Sequence, residues 1–403
     1  MVNSGDTAWV LISTALVILM TPAVGFFYGG MVRRKNILST IMMCFAALLV
    51  ISVQWVLFGY SLSFAPTVHG LIGNLNWLGL NGVGALPEAA YAATIPALAF
   101  MLFQAAFAII TPSLIVGAFV ERIRFSGFLL FILLWSTLLY DPVAHWIWGV
   151  GGWLRMLGVL DFAGGIVVHV TAGFSALAIA LVIGKRKGYG KDNMEPSNIP
   201  LVVIGAVLLW FGWFGFNGGS ALAANGLAAS AVVATNTAGA AAAVVWMILS
   251  WLHRRPSVLG VATGAVVGLA AVTPASGFVS PLSALIIGVV ASIISYYMIV
   301  LRMKLRIDES LDVFACHGMG GLWGAIALGI FASKAINPAG ADGLLYGNAH
   351  QFTIQLLATL FIAALSFGLT WLIAKFVEAT VGLRVRDNEE LVGLDISQHA
   401  ECA

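Results

Sequence analysis

Apolar runs of about 20 residues follow one another along almost the whole chain, and each is long enough to cross the hydrocarbon of a bilayer as a helix. That repetition leaves few folds open. The charge content agrees. Only 9% of the residues are charged and 61% are hydrophobic, whereas a soluble domain of this length carries about 25% charged residues. The net charge of +2 is near zero, which argues against a nucleic-acid partner. The start of the chain, Met1 to Asp6, has no basic region and does not read as a cleavable signal peptide.

The runs predict eleven spanning helices, at about 7–31, 37–63, 95–120, 125–148, 163–184, 199–221, 227–252, 257–274, 279–301, 312–332 and 350–378. Charge provides an independent reading of topology. Alternate connections carry Arg33, Arg34 and Lys35, then Arg122 and Arg124, then Lys185, Arg186, Lys187 and Lys191. The series continues with Arg254 and Arg255, then Arg302, Lys304 and Arg306, and ends with Lys375, Arg384 and Arg386. Of the 19 Lys and Arg residues only Arg155 and Lys334 fall on the other side. The positive-inside rule then places the N-terminus outside and the C-terminus inside.

Two histidines lie inside these runs in matching contexts. The first reads His169-Val-Thr-Ala-Gly173 and the second His317-Gly-Met-Gly-Gly321. An ionisable side chain at membrane depth is costly and marks a pathway or a site. Asp161 opens the fifth helix, and His169 lies eight residues further in. At 1.5 Å per residue that is about 12 Å, near the middle of a core about 30 Å thick. His317 follows Asp312 by five residues from the opposite side, to a similar depth. Phe27-Tyr-Gly-Gly30 closes helix one as Phe216-Asn-Gly-Gly219 closes helix six. Equivalent helices run in opposite directions under this topology. The expected fold is therefore an all-α integral membrane protein of two inverted five-helix repeats plus one helix. Repeat one covers about 7–184, repeat two about 199–332 and helix eleven about 350–378. Together they make a transmembrane domain over 1–380, followed by a cytoplasmic tail over 381–403. The competing reading is two unrelated core histidines, each bonded to a carbonyl or hydroxyl.

Other features weigh less. Cys44, Cys316 and Cys402 give neither a disulfide framework nor a zinc spacing. Cys44 reads as a small buried residue, and Cys316 is a candidate to line the same space as His317. Asp161 is suited to cap its helix and equally to supply negative field at the outer mouth.

The segment Asp161-Phe-Ala-Gly-Gly-Ile-Val-Val-His169-Val-Thr-Ala-Gly173 resembles the fifth-helix signature of the ammonium transporter (Amt/Mep/Rh) family. Further segments resemble it in the same order. They are Gly25 to Asn36, Phe103-Gln104 with Phe107, Gly117 to Arg122, Trp210 to Asn217, Asp312 to Gly318, and Gly382-Leu-Arg-Val385. The resemblance covers nearly the whole chain. It implies a plasma-membrane homotrimer of eleven-helix subunits, each with a narrow apolar pore, and no cofactor. It implies an ammonium recruitment site at Phe107, Trp148 and Ser220, a stacked gate of Phe107 and Phe216, and a wall that includes Trp213. His169 and His317 would face each other in the pore. The implied activity is transport, not catalysis: ammonium is captured, deprotonated and passed as ammonia, with or without the separated proton. The tail resembles the family's regulatory tail through Glu390-Leu-Val-Gly-Leu-Asp395 but lacks a Gly after His399 and an aromatic end. The partner this implies is a PII-type signal protein on the cytoplasmic face.

Two other functions remain open to the sequence. An ammonium sensor would use the same fold, although sensors of the family carry an appended cytoplasmic domain. Paired histidines on facing helices also suit axial haem ligation in a redox protein; an absorbance scan for a haem band separates that reading. The topology is tested by labelling with an impermeant thiol reagent. Asn3→Cys is expected to react in intact cells and Gln398→Cys only after permeabilisation. Reaction of both from one side of intact cells would exclude an odd number of spans.

Overall fold

Peptide groups without water to bond must close on one another, and this chain does so with helices over most of its length. The computed structural model describes residues 1–403. Ten helices are long and apolar enough to span a membrane. They are α1 (Ser4–Met31), α2 (Arg34–Phe64), α3 (Ala97–Ala118), α4 (Phe125–Met156), α5 (Gly165–Ile183) and α6 (Ile199–Gly218), then α7 (Gly226–His253), α9 (Pro281–Lys304), α10 (Phe314–Phe331) and α11 (Ala349–Thr380). Between α7 and α9 lies α8 (Val258–Val272), where a full eighth span was expected. Its 15 residues rise about 22 Å. Pro274 disfavours helix at the residue before it, and the chain continues in turns over 273–278.

Sequence sets the helix starts. Asn3, Asn198, Asn225, Ser257, Ser280 and Asn348 each accept a hydrogen bond from a first-turn amide of the helix that follows, as N-caps do. Five stretches are wound as π-helix: Trp55–Gly59, Ser136–Tyr140, Gly165–Val170, Phe214–Gly218 and Phe314–Met319. Such stretches concentrate at functional sites. Three of the five hold His169, Phe216 and His317.

Close crossings are made by glycine. A Cβ on Gly173 of α5 would lie 2.1 Å from the Gly318 Cα of α10. A Cβ on Gly321 would lie 2.8 Å from the His169 Cβ. The two histidine motifs therefore keep their glycines because the helices touch backbone to backbone there.

One face gathers the basic connections. Glu121, almost unexposed, pairs with Arg33 at 2.8 Å and Arg186 at 3.1 Å. Arg186 also pairs with Asp308 at 2.7 Å. Burial pushes the Glu121 carboxyl up, but Arg186 and Arg33 outweigh it and hold it below the usual carboxylate range. Arg122 is fully buried, and its guanidinium donates to Gly184 O, Val120 O, Ala118 O, Asp308 O and Ser310 Oγ.

The tail, for which the sequence reading offers no secondary structure, is folded onto this face as α12 (Asp387–Val392) and α13 (Leu394–His399). Arg124 N donates to Leu383 O at 2.9 Å and Val385 N to Arg122 O at 3.0 Å. Glu390 accepts from Lys187 N at 2.6 Å and pairs with Arg384 at 2.7 Å. Asp395 accepts from Ser39 N at 2.7 Å. Two connections between membrane helices and the start of α2 are thus tied to one another through the tail.

Removing one partner of a buried ion cluster strands the others. Glu121→Ala is expected to destabilise the protein by about 3 kcal/mol, read as a lower Tm of the detergent-solubilised protein. Because the folded-state pKa of Glu121 is depressed, its contribution is present above the ordinary carboxylate pKa of about 4.3 and is lost as pH falls below it. An unchanged Tm for Glu121→Ala would make the cluster dispensable.

Candidate functional site

On the face opposite the basic connections a cavity of about 520 Å³ opens between α3 and α4, with the segments before α5 and after α6 in its wall. Phe107, Trp148, Asp161 and Ser220 all contribute to its wall, as the sequence suggested. The Trp148 ring meets Phe107 at 5.9 Å and 71°. Its Nε1 donates to Asp161 O at 2.9 Å, so the indole turns its ring, not its N–H, to the cavity. Ser220 Oγ donates to Phe216 O at 2.8 Å, which leaves only acceptor capacity on the cavity side.

Phe107 and Phe216 lie at the floor, 1% and 0% exposed. Their centroids are 4.5 Å apart, but the rings are inclined at 67°. The expected stacked pair is thus an edge-to-face pair, the arrangement the aromatic quadrupole favours. It closes the cavity all the same.

Below that floor both histidines are buried. His169 Nδ1 and His317 Nδ1 are 3.2 Å apart, with the rings at 5.2 Å and 23°. One Nδ1 must donate and the other accept, so the pair carries a single shared proton on that side when both rings are neutral. His169 lies nearly parallel to Phe216 at 16° and to Trp213 at 29°. Trp213 Nε1 donates to Thr273 Oγ1 at 2.9 Å, which fixes the indole. His169 Nε2 is buried without a hydrogen-bond partner. A narrow void of about 10 Å³, room for one small molecule, is lined by His169, His317, Trp213, Phe216, Phe27, Tyr28 and aliphatic side chains. Neither histidine bonds a backbone carbonyl or hydroxyl, so the reading of two unrelated core histidines fails.

Beyond His317 a second cavity of about 270 Å³ opens toward the basic face. Asp312, Cys316 and His317 border it. Cys316 therefore lines the space expected of it, while Cys44 is buried and Cys402 exposed.

The polar anchors of the two histidine helices correspond. Asp161 accepts four backbone N–H groups: Oδ1 from Gly164 and Gly165 at 2.8 and 2.7 Å, and Oδ2 from Ile166 and Val167 at 2.8 and 3.0 Å. Burial pushes its carboxyl up to about 6, against the pull of those amides. Glu309 stands eight residues before His317, as Asp161 stands eight before His169. It accepts from Val313 N at 2.9 Å and Phe314 N at 3.3 Å. Burial, then Asp312, push it up to about 8. Left-handed residues occupy the same position in both turns, Gly164 at φ 110° and Asp312 at φ 62°. The counterpart of Asp161 is thus Glu309, not Asp312, which instead pairs with Arg302 at 2.6 Å. The equal spacing was legible in the sequence. Thr273 carried no local signal, because its role depends on a partner helix.

The first cavity thus presents aromatic faces and acceptors, and below it lies a narrow, buried lumen with two imidazoles. The family profile described as "Ammonium Transporter Family" matches residues 8–403. Ammonium transporter Amt1 of Archaeoglobus fulgidus is 51% identical over 401 residues, covering 100% of this chain and 99% of that protein. An ammonium transporter of Bacillus subtilis is 47% identical, covering 99% and 98%. Among solved structures, Candida albicans Mep2 superposes with TM-score 0.91 at 35% identity over 96% of this chain and 88% of that one. A structure described as "Sensor Amt Protein" gives 0.90 at 30% identity over 98% of both. With a profile match over almost its whole length and relatives near half identical end to end, this multi-pass membrane protein belongs to the ammonium transporter family.

Proposed function

We propose that the protein moves ammonium across the cell membrane by capturing the cation at the Phe107–Trp148–Ser220 cavity, removing its proton, and passing ammonia along the histidine-lined lumen. The observation that carries this reading is the paired, buried imidazoles 3.2 Å apart beneath an aromatic floor. A bare cation in an apolar lumen costs many kcal/mol, and neutral ammonia far less. Potassium matches ammonium in charge and size but has no proton to give up. A pore that admits only the deprotonated species therefore rejects it. The imidazoles accept from and donate to ammonia, or hand on the separated proton.

Capture rests on ring faces and acceptors. A cation over Trp148 gains about 0.5–2 kcal/mol, Ser220 Oγ accepts one N–H, and the Asp161 carboxylate adds negative field. The first cavity is then the outer one and the basic face is cytoplasmic, with α8 completing eleven spans. The matching anchors of α5 and α10 support two inverted repeats. We assign a homotrimer from the family membership. The docked tail is read as a regulatory element and a PII-type signal protein as its partner. Sensing is the second reading, favoured by the 30% identity to a protein described as a sensor; the nearer likeness to proteins named as transporters, 51% and 47%, favours transport.

Solid-supported-membrane recording on proteoliposomes given ammonium or potassium pulses tests the proposal. Wild type is expected to respond to ammonium and not to potassium; silence to both would leave sensing or electroneutral passage of ammonia, which the internal alkalinisation of vesicles given ammonium separates. Trp148→Leu is expected to raise the half-saturating ammonium concentration several-fold, in line with about 1 kcal/mol of lost cation–π attraction. An unchanged concentration dependence would return Trp148 to a membrane-interface anchor.

The pH dependence follows from Asp161. Its carboxyl is charged above about pH 6 and neutral below it, so apparent ammonium affinity is expected to fall as outside pH drops through about 6. Asp161→Asn keeps an acceptor for the helix amides and is expected to flatten that dependence. Asp161→Ala, which loses cap and field together, is expected to be the more severe. A wild-type profile with no inflection in that range would limit Asp161 to capping.

The histidines are expected to act as one unit. His169→Ala and His317→Ala should each impair ammonium flux while oligomers still assemble. The double variant should lose less than the sum of the single losses, since residues sharing one hydrogen bond are not additive. Replacement of either by Asp is expected to admit potassium. Wild-type ammonium flux with potassium still excluded in a folded His169→Ala/His317→Ala protein would remove the pair from conduction.

A further inference from the structure

The segment between α4 and α5 carries Asp161, yet residues 159–164 form neither helix nor strand. Backbone groups in such a stretch need partners from elsewhere. Leu160, one residue before Asp161, finds both of its partners on one side chain of α11. Gln355 Oε1 accepts from Leu160 N at 3.0 Å, and Gln355 Nε2 donates to Leu160 O at 2.6 Å. A carboxamide carries an acceptor and a donor side by side, so it clasps both polar groups of one residue, as a neighbouring strand would. Gln351, one turn earlier on α11, donates from Nε2 to Gly158 O at 3.1 Å. Gln355 is fully buried. Its own place is set by a close packing against glycine: a Cβ on Gly329 of α10 would lie 3.1 Å from the Gln355 Cβ.

The clasp is one residue away from two groups at the outer mouth. Asp161 O accepts from Trp148 Nε1 and so fixes the indole. The Asp161 carboxylate accepts four amides at the start of α5. A shift of Leu160 would carry both groups with it. α11 contributes no residue to the histidine-lined void and reaches the outer cavity only through Gln351. The inner half has the same device by other means. Asp308 stands one residue before Glu309, as Leu160 stands before Asp161, and Arg122 Nη2 donates to Asp308 O at 2.6 Å. We propose that Gln355 is a positioning residue for ammonium capture: without touching the ligand, it holds the Leu160–Asp161 backbone, and through it the Trp148 ring and the Asp161 carboxylate, in place. This role rests on the transport reading for the identity of the ligand and gives a task to a helix that lies outside the lumen.

Gln355→Leu and Gln355→Met remove both bonds at nearly the same volume. Gln355→Asn keeps the carboxamide and withdraws it by one methylene. In proteoliposome recordings all three are expected to raise the half-saturating ammonium concentration about fivefold, within the cation–π attraction that a displaced ring forfeits. Their maximal response is expected to stay within about twofold of wild type. A glutamine that served packing alone would act independently of Trp148. The Gln355→Leu/Trp148→Leu variant is instead expected to raise half-saturation by less than the product of the two single changes, since one acts through the other. Amide hydrogen exchange over residues 158–167 of the solubilised protein is expected to be about tenfold faster in Gln355→Leu, with exchange in α3 unchanged.

Unchanged half-saturation in Leu, Met and Asn, a fall confined to the maximal response, or a double variant that reaches the full product would each overturn the role. So would unchanged exchange over 158–167. Failure of all three variants to assemble would overturn it as well, because the amide would then hold the fold rather than the mouth. Exchange needs no ligand, which keeps this test separate from transport. Wild-type vesicles that give neither current nor internal alkalinisation with ammonium would remove the transport reading. The Tm gained by the solubilised protein in ammonium chloride over potassium chloride then decides: a smaller gain in Gln355→Leu than in wild type supports the role, and an equal gain refutes it.

Discussion

The arrangement depends on one close crossing. Gly173 of α5 meets Gly318 of α10 with no room for a Cβ on Gly173, and Gly321 likewise leaves none against His169. Any side chain there would push the two π-wound turns apart. The imidazoles, 3.2 Å from each other at Nδ1, would then lose their shared hydrogen bond. Interiors are packed densely enough that such a shift has nowhere to be absorbed. The lumen is narrow for the same reason: backbone, not side chain, sets the distance between the helices that carry it.

Around that crossing the chain separates charge from the lumen. Asp161 and Glu309 stand eight residues before the two histidines and are spent on backbone amides. Glu121, Arg122, Arg186 and Asp308, four further buried charged residues, are gathered on the basic face and neutralise each other. What remains between the two cavities is aromatic, aliphatic and imidazole. Selection by proton removal fits such a lumen, since the energy difference between an ion and a neutral molecule is largest where the dielectric is lowest. The docked tail joins two connections between membrane helices and the start of α2 at the far end of the same helices. A change in tail position is therefore mechanically linked to the start of α2 and the ends of α3 and α5.

Much of the site was legible before any coordinates. The spans were readable because a bilayer imposes a length and a polarity on each helix. The histidine pair was readable because ionisable residues are rare at that depth. Phe107, Trp148 and Ser220 were not readable from composition, since aromatic residues are abundant in this chain and packing explains any one of them. They became candidates through the shared order of motifs, and the structure brings them to one cavity. Two expectations changed in contact with the fold. The Phe107–Phe216 pair is edge to face, because ring tilt is decided by neighbours such as His169 and Phe103. The partner of Asp161 is Glu309, because a left-handed turn at Asp312 lets a carboxylate three residues earlier reach the helix amides.

The sequence alone determined a helical membrane protein with basic connections on alternate loops and two equivalent histidine helices. Those follow from hydrophobicity, length and spacing, which are local properties of the chain. Tertiary structure alone decided the Nδ1 to Nδ1 contact, the ring tilts, the clasp of Gln355 on Leu160 and the docking of the tail. Each depends on which side chain a distant segment presents, and side-chain direction at a crossing is fixed by packing rather than by local sequence.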